Sequence, residues 1–166
     1  MNVMEGLMDA RQSRQEARTG LQEQLSAYSD RLTRFEEITP EAVHVLVHTF
    51  YGCVRQHPRL GEIFERRLEG QWPAHLAKME SFWQSVLLKN GAYKGRPVPV
   101  HLKQKELVSA DYGEWLDVFR PIANALFVPE KAEEIISVAE RIAQSLWYAC
   151  FGTAGAAAPA SLSSRS

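Results

Sequence analysis

The sequence lacks the features that define several common classes of protein. It contains only two cysteines, Cys53 and Cys150, which are too few and too far apart to form a disulfide framework. No apolar run approaches the roughly 18–20 residues of a membrane span, and the first residues contain no apolar segment typical of a secretory signal. From these absences we expect a cytoplasmic protein with no membrane partner.

An excess of charge and the common catalytic motifs are also missing. The 19 Lys and Arg residues nearly balance the 20 Asp and Glu residues, which gives a net charge of −1 and no general attraction for nucleic acid. The sequence contains no Gly-rich phosphate loop, no Cys-x-x-Cys pair and no His-Glu-x-x-His motif. We therefore expect neither a nucleic-acid partner nor a zinc site of a familiar kind.

The first helix of the central region has a clear start signal. Thr39 is a good N-cap, Pro40 suits the first helical position, and Glu41 adds a negative charge to the first turn. Apolar residues at helical spacing then continue to about Gln56, and Tyr51 borders the face that they form. The pattern predicts a helix that packs one face into a core.

Similar apolar patterns continue through the rest of the central region. They predict three further helices, over 73–89, 111–127 and 129–151. Leu60–Phe64 is interpreted as a short turn with two apolar anchors. No segment alternates as a half-buried strand does. The sequence thus predicts an all-α domain over residues 38–151.

The two ends of the chain differ from this domain in composition. Residues 1–37 are polar, but five apolar residues recur at spacings of 4, 3, 4 and 3: Leu21, Leu25, Tyr28, Leu32 and Phe35. This spacing predicts an amphipathic helix, which either lies on its own domain or frays there, or else serves as a dimer or partner helix. Residues 152–166 are rich in Ala and Ser and show no packing face, so we expect a disordered tail.

Four of the histidines fall in two interesting pairs. His44 and His48 are four apart, a spacing that can chelate a metal on a helix surface. No third ligand is visible in the sequence, so we interpret both as solvated. His75 begins an apolar stripe on the 73–89 helix, and His101 follows a Pro-rich connector that holds the chain extended. These last two histidines belong to the apolar part of the chain.

Aromatic residues cluster on the predicted inner faces of the same helices. They are Tyr51, Phe64, Phe82, Trp83, Trp115 and Phe119. A haem pocket would explain both the apolar aromatic surface and the two histidines, because the macrocycle needs an apolar slot and the iron needs an imidazole. A zinc site would need three or four ligands close together, and the sequence does not show them there.

The sequence resembles the truncated haemoglobins, a bacterial family of globins, and within that family their third group. The resemblance covers about Thr39 to Leu146 and rests on the order and spacing of several blocks, which are Phe50–Arg55, Leu60–Phe64, Trp72–Leu88, Tyr93–Pro97 with His101, and Trp115–Phe119. The double-glycine turns typical of the other two groups are absent. The N-terminal extension and the Ala/Ser tail depart from the family's short form.

The resemblance implies a two-over-two helical sandwich that binds haem b (iron protoporphyrin IX). By position, His101 corresponds to the histidine that bonds the iron, and Tyr51, His75 and Trp115 correspond to residues around the gas ligand. Met79 corresponds to an apolar position one turn beyond His75. Phe64, Phe82 and Trp83 are expected to contact the haem, together with His75, Met79 and Trp115.

Three functions from different classes are compatible with these features. The first is a haem protein that binds O₂ and other diatomic gases such as NO and CO, for oxygen storage, transport or sensing, with Tyr51 and Trp115 as hydrogen-bond donors. The second is a redox enzyme of the peroxidase or nitric-oxide dioxygenase type, which would depend on a separate reductase because the chain has no flavin or nicotinamide domain. The third is a haem-free helical interaction module that uses the N-terminal helix.

Overall fold

The computed structural model describes residues 3–29, 33–91, 93, 95, 101, 106–152 and 158–162, with backbone alone over 3–10 and 26–29. The described residues form six α-helices and one 3₁₀ turn. The helices are α1 (Val3–Ser29), α2 (Pro40–Gln56), α3 (Leu60–Leu68), α4 (Trp72–Leu88), α5 (Ser109–Leu126) and α6 (Pro129–Phe151), and the turn is Ala160–Leu162. No strand is present in this part of the chain, which confirms the predicted all-α class.

The core is formed by two pairs of helices in two layers. Helix α2 packs on α4, helix α5 packs on α6, and α2 also crosses α5. Six apolar residues of α2 are at most 1% exposed, namely Ala42, Val43, Leu46, Val47, Phe50 and Val54. The start of α2 is the predicted one, because Thr39 Oγ1 accepts the N–H of Ala42 at 3.1 Å.

Helix α3 corrects the prediction of a short turn over Leu60–Phe64. The segment continues as a helix to Leu68, and its first turn is fixed by His57, whose Nδ1 accepts the N–H of Leu60 at 3.1 Å. Gly61 allows this tight corner, because a Cβ there would lie 2.6 Å from the backbone oxygen of Arg55. The helix brings Phe64 to the same side of the molecule as α4.

Helices α4, α5 and α6 lie close to their predicted bounds. Helix α4 ends at Leu88, and the next residue, Lys89, adopts the left-handed conformation with φ of 55°. Helix α5 continues through Pro121. The Pro-rich connector between Gly91 and Val100 falls largely outside the described residues. None of the described helices is both long and apolar enough to cross a membrane.

Helix α1 lies on its own domain, against α5. Its Leu25 is buried in the core at 7% exposure, and Leu21 packs beside it. The side chain of Tyr28 and all of Leu32, which also belong to the predicted apolar pattern, lie outside the described residues. These contacts fit the first of the two alternatives for this helix, and dimer formation stays a prediction.

Two ion pairs and a short backbone bridge hold the N-terminal extension to α5. Arg14 lies 3.6 Å from Glu114, and Arg18 lies 3.7 Å from Asp117. Phe35 donates its N–H to the oxygen of Leu126 at 2.8 Å and accepts the N–H of Val128 at 3.0 Å. The extension is therefore attached at two places to the same helix, along its side and at its C-terminal end.

The C-terminal segment also packs on α5, which the prediction of a tail without a packing face did not foresee. Leu162 is only 1% exposed and belongs to the core. Ser161 lies against Gly113, where a Cβ would collide with its hydroxyl, and its carbonyl accepts a hydrogen bond from Arg120 at 2.8 Å. Residues 160–162 are thus held by one buried leucine and by hydrogen bonds to the carbonyls of Ser161 and Leu162, whereas disorder over residues 152–166 as a whole stays a prediction.

Candidate functional site

A cavity of about 350 Å³ lies between the two helical layers. This volume is within the range of small-molecule sites in proteins. Its wall contains all eight residues that the sequence singled out as a candidate site: Tyr51, Phe64, His75, Met79, Phe82, Trp83, His101 and Trp115. The fold thus brings together residues from five separate parts of the chain.

Tyr51 and His75 meet on one side of this cavity. Their rings are 5.0 Å apart and almost perpendicular. Tyr51 is 5% exposed, and burial raises the pKa of its hydroxyl above the usual range, so the group stays protonated and able to donate. In the part of the chain that the structure describes, that hydroxyl has no hydrogen-bond partner.

The imidazole of His75 points into the cavity rather than towards solvent. Its Nε2 is buried and makes no hydrogen bond to any described residue. Burial, and secondly the charge of Lys78, lower the pKa of His75 to about 4, so the ring is neutral at neutral pH. A buried nitrogen without a partner is costly, which indicates that the cavity normally supplies one.

His101 lies in the cavity wall beside Tyr112. The two rings are 6.4 Å apart, and the imidazole is half-buried. Tyr112 donates its hydroxyl to Cys150 Sγ at 3.4 Å, and burial together with this hydrogen bond raises the pKa of Tyr112. Tyr112 also lines the cavity but was not among the candidate residues, because helical spacing alone does not show which side chains reach a cavity.

A stack of aromatic rings forms another part of the wall. Trp115 and Trp83 each stack on Phe119, with ring centroids 5.3 Å and 5.1 Å apart. The ring of Phe82 meets the edge of Trp83 at 5.5 Å and the ring of Tyr93 at 5.2 Å. Close contacts of this kind keep large flat side chains in fixed positions. The wall is therefore rigid as well as apolar.

Trp72 covers Tyr51 and His75 from outside the cavity. Its ring lies 6.1 Å from Tyr51 and 6.0 Å from His75. The guanidinium of Arg55 sits 4.5 Å above the Trp72 ring, and Glu65 accepts hydrogen bonds from Trp72 Nε1 at 3.2 Å and Arg55 Nε at 2.7 Å. These two bonds lower the pKa of Glu65.

Comparison with known proteins decides the family. No family model matches the chain. A group 3 truncated haemoglobin (ctb) of Campylobacter jejuni subsp. jejuni serotype O:2 is 32% identical over 113 residues, which cover 66% of this chain and 89% of that protein. The chain belongs to the group 3 truncated haemoglobins. The crystal structure of a group III truncated haemoglobin from Campylobacter jejuni agrees, with a TM-score of 0.70, 29% identity, and coverage of 75% of this chain and 100% of that one.

Membership of this family confirms the resemblance seen in the sequence and the truncated-globin fold, and it makes the chain a globin-type haem protein. The described residues suit a haem. The cavity wall is mostly apolar, as a macrocycle requires, and the buried Nε2 of His75 lacks a partner within it. Two cationic side chains, Arg67 and Lys78, also reach this wall and could meet the propionate carboxylates.

A second cavity, of about 170 Å³, lies beneath α1 of this truncated haemoglobin. It is lined by residues of α1, α2 and α5, including Arg18, Glu114 and Asp117, and by none of the candidate site residues. All of the candidate site residues therefore belong to the larger cavity. The smaller one is a groove that the attached N-terminal helix leaves between itself and the domain.

One prediction outside the cavity needs correction in part, because both histidines are exposed as expected but a third potential ligand lies beside them. His44 and His48 were interpreted as solvated histidines without a third ligand nearby. The structure places the carboxylate of Glu80, on the neighbouring helix α4, within hydrogen-bond distance of both rings. Glu80 lies more than 30 positions away along the chain, so only the packing of α2 on α4 could show this contact.

Proposed function

We propose that this truncated haemoglobin holds haem b in the larger cavity and binds a diatomic gas (O₂, NO or CO) there. The haem supplies an iron centre that can bind such a gas. In this proposal His101 is the protein ligand of the iron. The observation that carries the proposal is the convergence of the eight candidate residues on one apolar cavity.

The residues on the Tyr51 side would stabilise the gas ligand. O₂ acquires partial negative charge when it binds, so a hydrogen-bond donor nearby favours it. Tyr51 brings a buried, protonated hydroxyl without a partner among the described residues. Trp115 has an indole N–H and lines the same cavity. His75 would either accept a hydrogen bond at Nε2 or, as the other tautomer, donate one.

The remaining wall residues would bind and orient the macrocycle. Phe64, Met79, Phe82 and Trp83 offer apolar surface from α3 and α4 and exclude water from the ligand side. Lys78 and Arg67 would pair with the propionates at the edge of the cavity. Because Arg67 also lies 3.6 Å from Glu106, part of its charge is already compensated, and Lys78 is the stronger candidate.

Visible spectroscopy of the purified protein tests the haem assignment. We expect a strong absorbance at about 400–420 nm that shifts when the reduced protein binds CO or O₂. His101→Ala should lose most stably bound haem, or keep it only with added imidazole, whereas His75→Leu should retain it. Normal haem content and an unchanged reduced spectrum in His101→Ala would refute the role of His101.

A peroxidase-type activity is a second candidate, and one observation favours it. The neutral imidazole of His75 presents a ring nitrogen without a described hydrogen-bond partner inside the cavity, and this nitrogen could accept a proton from hydrogen peroxide. His75→Leu should then lower peroxidase turnover far more than it changes CO binding. Equal turnover in the parent and the variant would rule out this role for His75.

A further inference from the structure

Two histidines and one glutamate converge on the surface of the α2–α4 layer, away from the cavity. The Oε1 oxygen of Glu80 lies 2.7 Å from His44 Nδ1 and 2.6 Å from His48 Nε2. The two imidazole rings are 4.1 Å apart and inclined by 32°. All three potential ligand atoms fall within 4.8 Å of one another. A single carboxylate oxygen thus faces two ring nitrogens that both point at it.

We propose that His44, His48 and Glu80 form a surface site for a divalent transition-metal ion, with zinc as the best match. Two imidazole nitrogens and one carboxylate oxygen are a ligand set that zinc accepts, whereas calcium and magnesium prefer oxygen ligands alone. The metal would occupy the space now bridged by hydrogen bonds, and water would complete its coordination. Three protein ligands with one open position are a common zinc arrangement.

The geometry requires only a small adjustment to admit the ion. Zinc bonds of about 2.0–2.1 Å in a tetrahedron separate neighbouring ligand atoms by about 3.3 Å. The present nitrogen–oxygen distances of 2.6–2.7 Å must therefore widen by about 0.6–0.7 Å. The side chains of His44 and His48 are 55% and 42% exposed, so their torsions can change without disturbing the core.

A bound ion would connect two helices that also form the gas-ligand side of the cavity. His48 lies one turn before Tyr51 on α2, and Glu80 directly follows Met79 on α4. The ion would therefore brace α2 against α4 from the outside. Because it binds only the folded arrangement of the three ligands, saturating zinc should raise the thermal midpoint of the protein.

Isothermal titration of the full-length, haem-containing protein with zinc chloride tests the proposal. We expect one saturable site per chain. His48→Gln and Glu80→Gln should each weaken zinc binding by at least about 10–100-fold, because the loss of even an outer-shell partner of a metal site has an effect of that size. Glu62→Gln is the matched control, because Glu62 is an exposed helical glutamate whose carboxylate pairs with Arg66 instead of a histidine.

Three results would overturn the proposal. One is the absence of saturable zinc binding in the parent. Another is a site that survives in His48→Gln and Glu80→Gln, or that disappears in His75→Leu, since the ion would then be elsewhere. As a second measurement, X-ray absorption at the zinc edge should show nitrogen and oxygen neighbours at about 2.0–2.1 Å. The third result would be sulfur neighbours at about 2.3 Å, which would point to a cysteine site instead.

Discussion

Replacing Tyr51 with Phe removes one hydroxyl from the side of the cavity where we propose that the gas ligand binds, and little else. The Tyr51 ring makes edge contacts with Phe50 at 4.9 Å, His75 at 5.0 Å and Phe64 at 5.7 Å. Phenylalanine keeps all of these contacts. Because the hydroxyl has no hydrogen-bond partner among the described residues, its removal leaves no described partner unsatisfied. We therefore expect an unchanged fold and an effect confined to the ligand.

The size of that effect follows from the kind of hydrogen bond that is lost. A hydrogen bond to a charged or partly charged acceptor contributes roughly 1.5–3 kcal/mol. Each ~1.4 kcal/mol is a factor of ten, so O₂ should leave Tyr51→Phe about 10- to 100-fold faster. Release of CO, which is less polar when bound, should change much less. Trp115 lines the same cavity and can compensate in part, so Tyr51→Phe combined with Trp115→Leu should exceed either change alone.

Stopped-flow measurement of O₂ release from the reduced protein is the assay, with CO release as the internal control. Circular dichroism and haem content should match those of the parent. An O₂ release rate within about twofold of the parent, equivalent to about 0.4 kcal/mol, would remove Tyr51 from the site. Equal acceleration of O₂ and CO would show that the cavity has changed shape, and the hydrogen-bond argument would fail in that case as well.

Three further predictions concern stability. Gly61→Ala should destabilise by about 1–3 kcal/mol because the new methyl meets a backbone oxygen at 2.6 Å, while Gly52→Ala, with open space around it, should stabilise by about 0.5–1 kcal/mol in thermal unfolding. The pKa of His75 is about 4 in the folded chain and 6.5 in the unfolded chain. Between these values the unfolded chain binds the extra proton, so in urea titrations of the haem-free protein stability should fall as pH drops through this window. After allowance for partial exposure the loss is about 1–2 kcal/mol, and His75→Leu should not show it. Deleting residues 1–36 removes the two backbone hydrogen bonds of Phe35, so we expect the free energy of unfolding to fall by at least about 2 kcal/mol while haem binding persists. A truncated protein as stable as the parent would contradict this.

The sequence predicted best those features that depend on neighbouring residues. The start of α2 follows from Thr39, Pro40 and Glu41, and its core face from apolar periodicity, because both act over one or two turns. The membership of Tyr51, His75 and His101 in one site came from the family resemblance. Periodicity places each of them on a helix or a loop, but it cannot show which side chains from distant helices meet.

The features that sequence reasoning missed depend on contacts between distant segments. Helix α3 has apolar residues at helical spacing, but the helix is nine residues long, which is too short for that pattern to be decisive. Glu80 meets His44 only because α2 packs on α4. The burial of Leu162 could not be foreseen from composition, since a single apolar residue in a small-residue tail forms no periodic pattern.

The two ends of the chain pack on the same helix, α5, and this links their energetics. Arg18 from the N-terminal helix pairs with Asp117, and Ser161 near the C-terminus bonds to Arg120 three residues further on. Changes at the two ends therefore share a common partner, and their effects on stability should not simply add. An affinity tag or truncation at one end can alter the apparent contribution of the other. Because α5 also carries Trp115 to the cavity, engineering of either terminus is an experiment on the proposed gas-binding site as well.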